Sequence, residues 1–231
     1  KDIVIPVFSL GRSQEIAYIL KTMQDSHMLS PNYPIYLDGP LTQKYTEIYL
    51  KCDIGIDSAM KDFLPKNLQY INNDNRLDIV SSTKPKIVLT SSGMGSYGPA
   101  QTHIPVVIQR KNALIHFTGY MAENTLGRRL KDTAYSETVV VGGLLVKKFA
   151  DVEYTSEFSA HAKADEMIEF LQKFKNLKLV LINHGEIDTK ESFANNVVEN
   201  VETKNVGILG RDFFFRVSPY GLVKTMGTKF C

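Results

Sequence analysis

At 231 residues, the chain has room for one large domain or two small ones with a sizeable buried core. A composition of 43% hydrophobic and 23% charged residues is that of an ordinary globular protein, and no run of about 18 apolar residues marks a membrane-spanning helix. The formal net charge of +2 permits a polyanionic partner without arguing for one, because nucleic-acid binding needs basic residues gathered on one face.

Residues 3–8 read as a buried strand. It is reached with no initiator Met, no polar lead-in and no signal peptide, an opening that suggests a piece of a longer protein. A turn at 9–13 leads to a helix with Ile16, Ile19, Leu20 and Met23 on one face, the i, i+3, i+4, i+7 spacing of an amphipathic helix. Residues 34–37 form a short strand, and Leu41, Tyr45, Ile48 and Tyr49 mark the apolar side of a second helix. The Asn- and Lys-rich stretch 53–78 suggests surface loops and a short helix. Residues 86–90 are a further strand, running into the glycine-rich loop 91–98. Pro99 suits the first position of a helix that Pro105 should end within a turn or two.

Residues 113–118 read as a strand, 125–131 as a short basic helix, and 139–149 as β-rich around the Gly142-Gly143 break. Met167, Ile168, Leu171 and Phe174 give the helix at 165–174 an inward face. A strand at 179–182 ends on Asn183-His184-Gly185-Glu186, and the next helix carries Phe193, Val197, Val198 and Val201. The tail from 206 to 229 suggests two or three strands. Strands alternating with helices predict an α/β architecture with a parallel-rich sheet flanked by helices. Cys52 and Cys231 are too few and too distant for a disulfide framework, which points to a reducing, cytoplasmic setting with Cys52 as a structural thiol.

In open α/β sheets, ligands bind beyond the carboxyl ends of strands, where loops feed helix starts. Loops 9–13, 91–98, 159–161 and 184–186 occupy such places. The 91–98 loop fits neither a Walker A nor a dinucleotide fingerprint, so an anion cradle and a plain tight turn both remain open. His161 and His184 sit at element junctions, yet no His-x-His, His-Glu-x-x-His or Cys-x-x-Cys joins them to a local metal motif. His27, His103 and His116 read as ordinary surface or core histidines.

Five segments in order resemble the metallo-β-lactamase/β-CASP family, which includes ribonuclease J and the pre-mRNA 3′-end cleavage endonuclease. Residues 6–15, Pro-Val-Phe-Ser-Leu-Gly-Arg-Ser-Gln-Glu, are similar to the opening of its β-CASP domain. Ser92-Gly93-Met94 with Gly98 resembles its Ser-Gly-Met…Gly loop. Gly119-Tyr120 followed by 125–130 resembles its Gly-Tyr-x-x-x-Gly-Thr-Leu-Gly-Arg segment, with Asn124 where Gly is usual. Residues 158–161 resemble its motif B, and 183–186 its motif C.

The resemblance implies a β-CASP cap at 1–157, the C-terminal part of a metallo-β-lactamase αββα domain at 158–202, and a β-rich extension at 203–231 whose residues 210–231 match no motif. It implies part of a ribonuclease that hydrolyses phosphodiesters with two zinc ions, RNA entering between cap and catalytic domain. His184 would be a zinc ligand and His161 the proton donor, with Ser159 and the Ser92–Gly93–Met94 loop holding RNA phosphate. Histidine at motif C is typical of the RNA-acting branch.

Glu186 would orient a metal ligand, or simply start a helix in solvent. Arg12, Arg128 and Arg129 would meet the RNA backbone, or serve surface solubility and hinge packing. The family's His-x-His-x-Asp-His segment is absent from this sequence, so the chain should lack the zinc pair and be inactive alone. The missing upstream segment and a second copy of the chain are further candidate partners. A non-catalytic RNA-binding or scaffold relative is the alternative, and a plain nucleotide-binding α/β domain using loop 91–98 the weaker third reading.

Overall fold

A strand buried on both faces needs a nearly continuous apolar run, and residues 86–90 supply one: all five are buried, the terminal Lys86 and Thr90 included. The computed structural model describes residues 1–52, 62–155, 157–158, 161–203, 205–209, 213–218 and 221–226. They divide into two units, Lys1–Ser159 and Ala160–Cys231.

The first unit runs β1 (Asp2–Pro6), α1 (Arg12–Asp25), β2 (Ile35–Asp38), α2 (Pro40–Lys51), β3 (Leu68–Ile71), α3 (Arg76–Ser81), β4 (Lys86–Thr90), α4 (Ala100–Val107), β5 (Ala113–Phe117), α5 (Leu126–Asp132), β6 (Thr138–Val141), β7 (Leu144–Lys147) and β8 (Asp151–Tyr154). Six strands form a sheet in the order β3-β2-β4-β1-β5-β8, each neighbouring pair parallel. This is the parallel-rich, helix-flanked sheet that the alternating pattern predicts. β6 and β7 pair as a separate antiparallel hairpin across Gly142-Gly143.

Side chains alternate across the sheet and build a core on each face. Val4, Val88, Ile115 and Phe117 pack with Ile104, Ile108, Leu126 and Leu130 from α4, α5 and their flanks. Ile5, Val7, Ile87 and Leu89 pack on the other side with Ile16, Ala17 and Leu20 of α1. At the amino ends of the strands, Asp2 is held by Lys86, 3.1 Å away, and by Arg110. Burial pushes the Lys86 ammonium below the usual lysine range, and the Asp2 carboxylate opposes that.

Three local expectations need correction. The stretch 53–78 contains the edge strand β3, and 53–61 lie outside the described residues. On α2, Leu41 and Ile48 are exposed and Thr42 and Thr46 are buried. The reason is a polar seam: Gln14 of α1 donates to Thr46 Oγ1 at 2.9 Å, and Thr42 donates to Ser9 Oγ at 3.1 Å. The helix expected at 165–174 spans 164–172 and stops short of Phe174; Ile168 is buried, whereas Met167 and Phe174 are exposed.

The second unit comprises α6 (Ala164–Gln172), β9 (Val180–Ile182), α7 (Ile187–Asn200), β10 (Val206–Leu209), β11 (Phe213–Ser218) and β12 (Gly221–Met226). Its sheet order is β12-β11-β10-β9, with β9 and β10 parallel and joined through α7. Ile168, Val180, Ile182, Ala194, Val197 and Ile208 form its core. Among the described residues, no helix is long and apolar enough to cross a membrane.

Candidate functional site

β1 and β4 are neighbours whose connections leave in opposite directions. α1 packs on one face of the sheet and leads to β2; α4 packs on the other face and leads to β5. Such a switch point opens a crevice at the carboxyl ends of the strands, and it places the loop after β1 beside the loop after β4. The two touch: a Cβ built on Gly93 would lie 2.8 Å from the Phe8 ring, so glycine lets the aromatic ring lie directly on the backbone of the second loop.

The loop containing Ser92, Gly93 and Met94 is pinned from within and from α5. Ser92 Oγ accepts from the Tyr97 amide at 3.2 Å, and the Met94 carbonyl accepts from the Gly127 amide at 3.0 Å. Ser96 Oγ accepts from the Leu126 amide at 3.0 Å, and Gln101 donates to the Gly95 carbonyl at 2.7 Å. Thr125 caps α5 by accepting from the Arg128 amide. Asn124, just before it, has φ +63°, a left-handed conformation that asparagine tolerates; this explains how it can stand where the resembling segment has glycine. These pieces enclose a cleft of about 660 Å³. Phe8, Tyr97, Glu123, Asn124 and Arg129 line it along with Ser92 and Met94. Of these, Phe8, Tyr97 and Glu123 carry no site assignment from the sequence, because their convergence on one cleft from separate stretches of chain is a tertiary property.

Arg12 lies elsewhere. Its side chain is 15% exposed and pairs with Glu15 at 3.2 Å. It donates to the Phe158 carbonyl and lies over the Phe158 ring, 5.2 Å from the centroid. Its guanidinium is therefore engaged by Glu15 and Phe158 within the first unit.

At the end of β2, the Asp38 main-chain carbonyl accepts from the Ser91 amide at 3.1 Å. Its buried carboxylate accepts two bonds from Arg76 (2.8 and 2.9 Å) and sits 2.7 Å from His103 Nε2. An ionised carboxylate only accepts, so Nε2 is the donor. Burial would raise the Asp38 pKa, but the hydrogen bonds and charge of His103 and Arg76 outweigh it and hold the carboxyl below its usual range. His103 is thus a fully buried structural histidine, a role no spacing in the sequence announces.

In the second unit, His184 is exposed on the loop between β9 and α7, with φ +59° and Gly185 behind it at φ +106°. Glu186 is half-buried and occupies the N-cap position of α7. His161 is exposed in the bend before α6. Ser159 lies outside the described residues. Among the described residues, no three His, Cys, Asp or Glu side chains gather as a metal site. Zinc centres use three or four protein ligands, so the described residues offer candidate ligands without by themselves fitting a zinc ion.

Two family models match the chain: the Beta-Casp domain over residues 13–130, and the Zn-dependent metallo-hydrolase RNA specificity domain over residues 146–206. The chain is 30% identical over 199 residues to an RNase J-like protein of Methanocaldococcus jannaschii, covering 83% of this chain and 45% of that protein. It is 30% identical over 199 residues to transcription termination factor FttA of Methanococcus maripaludis, covering 80% and 31%. It is 30% identical over 189 residues to cleavage and polyadenylation specificity factor subunit 3-I of Arabidopsis thaliana, covering 80% and 27%. The chain spans less than half the length of these relatives.

Proposed function

We propose, because the chain belongs to the Beta-Casp family, that it is part of a zinc-dependent ribonuclease and supplies its RNA-holding cap together with two active-site histidines. Residues 1–157 act as the cap, 158–202 as the C-terminal part of the catalytic domain and 203–231 as an extension. His184 contributes one zinc ligand and Glu186 orients it; the remaining ligands come from a segment preceding this chain, without which it does not cleave RNA. Zinc, when held there by His184 and the remaining ligands, would supply Lewis-acid stabilisation of charge on the phosphate. His161 donates a ring proton to the departing oxygen, a task suited to imidazole near neutral pH.

Ser159 and the Ser92–Gly93–Met94 loop hold RNA phosphate. Arg12, already committed to Phe158 and Glu15, orders that stretch of the chain instead of meeting phosphate directly. A reducing cytoplasm is the compartment in keeping with RNA as substrate and two distant cysteines.

The observation that carries this reading is that His161 and His184, both exposed, fall within residues 146–206, the segment matched by the Zn-dependent metallo-hydrolase RNA specificity model. The test uses the intact protein on single-stranded RNA. Stripping metal with a chelator should abolish cleavage and adding zinc should restore it; cleavage indifferent to both would end the proposal. His161→Ala should keep its zinc and lose about 10²- to 10⁴-fold in kcat, the usual worth of a positioned general acid. RNA binding with no cleavage by the untouched protein would favour the scaffold reading.

A further inference from the structure

The cleft beside the Ser92 loop has a composition that phosphate binding leaves unexplained. Two of its aromatic side chains are open to water: Phe8 is 47% and Tyr97 78% exposed. Exposed rings on a concave wall forgo burial free energy and mark a surface that something covers. Exposed Glu123 and Asn124 stand in the same cleft with Arg129, so a carboxylate, an amide and a guanidinium share it with the rings. Gly142 and Gly143 of the hairpin turn line another part, and beyond Gly143 nothing lies within 4 Å of where a Cβ would sit. The space, about 660 Å³, is in the range of small-ligand pockets, ~300–1,000 Å³, and suits one nucleotide.

We infer that this cleft receives a single unstacked, amino-bearing nucleobase from a single-stranded RNA, with Tyr97 as its stacking surface. The inference rests on the ribonuclease reading for the identity of the polymer. Aromatic faces stack with any base, so the preference must come from the polar groups. A carboxylate accepts from the exocyclic amine of cytosine, and an amide can both donate to and accept from adenine. Uracil offers a carbonyl oxygen at the corresponding edge, which Glu123 repels. Arg129 meets the adjoining phosphate, which fixes position without reading sequence.

The test is equilibrium binding of short labelled oligo(A), oligo(C) and oligo(U) by the intact, metal-stripped protein, followed by fluorescence anisotropy. Tyr97→Ala changes an exposed side chain and should weaken oligo(A) and oligo(C) binding about 5- to 100-fold, the usual range for one stacked base; Tyr97→Phe should bind like the parent. Glu123→Gln should narrow the gap between oligo(C) and oligo(U). An oligonucleotide with one abasic position should lose affinity for the parent at a single register, and Tyr97→Ala should show no further loss there. If Tyr97→Ala binds RNA like the parent, or its loss simply adds to that of every abasic position, the cleft does not hold a base, although RNA binding stands. Equal affinity of the parent for oligo(A), oligo(C) and oligo(U) would overturn the amino-base preference. A parent protein that binds no RNA sinks this inference together with the ribonuclease reading.

Discussion

Exchanging His184 for asparagine in the intact protein is expected to remove bound zinc and lower RNA cleavage by more than about 100-fold, while the fold is kept. Groups that merely support a metal ligand are worth about 10- to 100-fold, so loss of a ligand itself should reach or exceed that. The choice of asparagine matters. His184 has φ +59°, a conformation costing most L-residues about 1–2 kcal/mol but routinely visited by Asn. Alanine therefore combines two effects, loss of the imidazole and backbone strain at the β9–α7 turn, whereas asparagine isolates the first. If the imidazole matters as a ligand, His184→Asn and His184→Ala should be equally inactive, and the alanine variant should melt earlier than the asparagine one. Metal content by mass spectrometry, initial rates and a thermal melt on the same samples decide it. A His184→Asn protein with full zinc and parental turnover would remove His184 from the site.

What the sequence made legible follows from where each signal lives. β4 was readable because a strand buried on both faces leaves an uninterrupted apolar run, and α1 because Ile16 and Leu20 recur at helical spacing. β3 was not, since a four-residue edge strand with two exposed positions has no burial pattern to betray it. The apolar periodicity of α2 points to Leu41 and Ile48, which face water, because the helix meets α1 through Thr46 and Gln14 and the preceding turn through Thr42 and Ser9. The Ser92–Met94 loop was visible as glycine punctuation after a strand. The cleft around it depends on Phe8, Asn124 and the hairpin turn arriving from separate stretches of chain, and that convergence has no local signature. His161 and His184 are conspicuous at element junctions, but a role for either comes only through the family resemblance, because a lone imidazole carries no spacing.

The second large effect concerns stability. Asp38→Ala is expected to destabilise the protein by about 3–5 kcal/mol, the usual cost of breaking a buried ion pair by removing one partner. The carboxylate is fully buried and holds three elements together: the end of β2, Arg76 at the start of α3, and His103 within α4. Without it, Arg76, 15% exposed, can swing its head group toward water, but His103 cannot, and its Nε2–H is left without an acceptor in the core. The depressed pKa of Asp38 makes the effect depend on pH in one direction only. A carboxyl whose folded value lies below its unfolded value, about 3.9, adds stability that is complete well above that value and disappears as the pH falls through the folded value. Urea denaturation of the parent and of Asp38→Asn at pH 7 and in steps below pH ~4 should therefore converge toward acid, the difference between them isolating Asp38 from the other carboxylates. A constant gap across that range would mean that Asp38 acts through shape alone and that its charge is not what ties β2, α3 and α4 beneath the Ser91 loop.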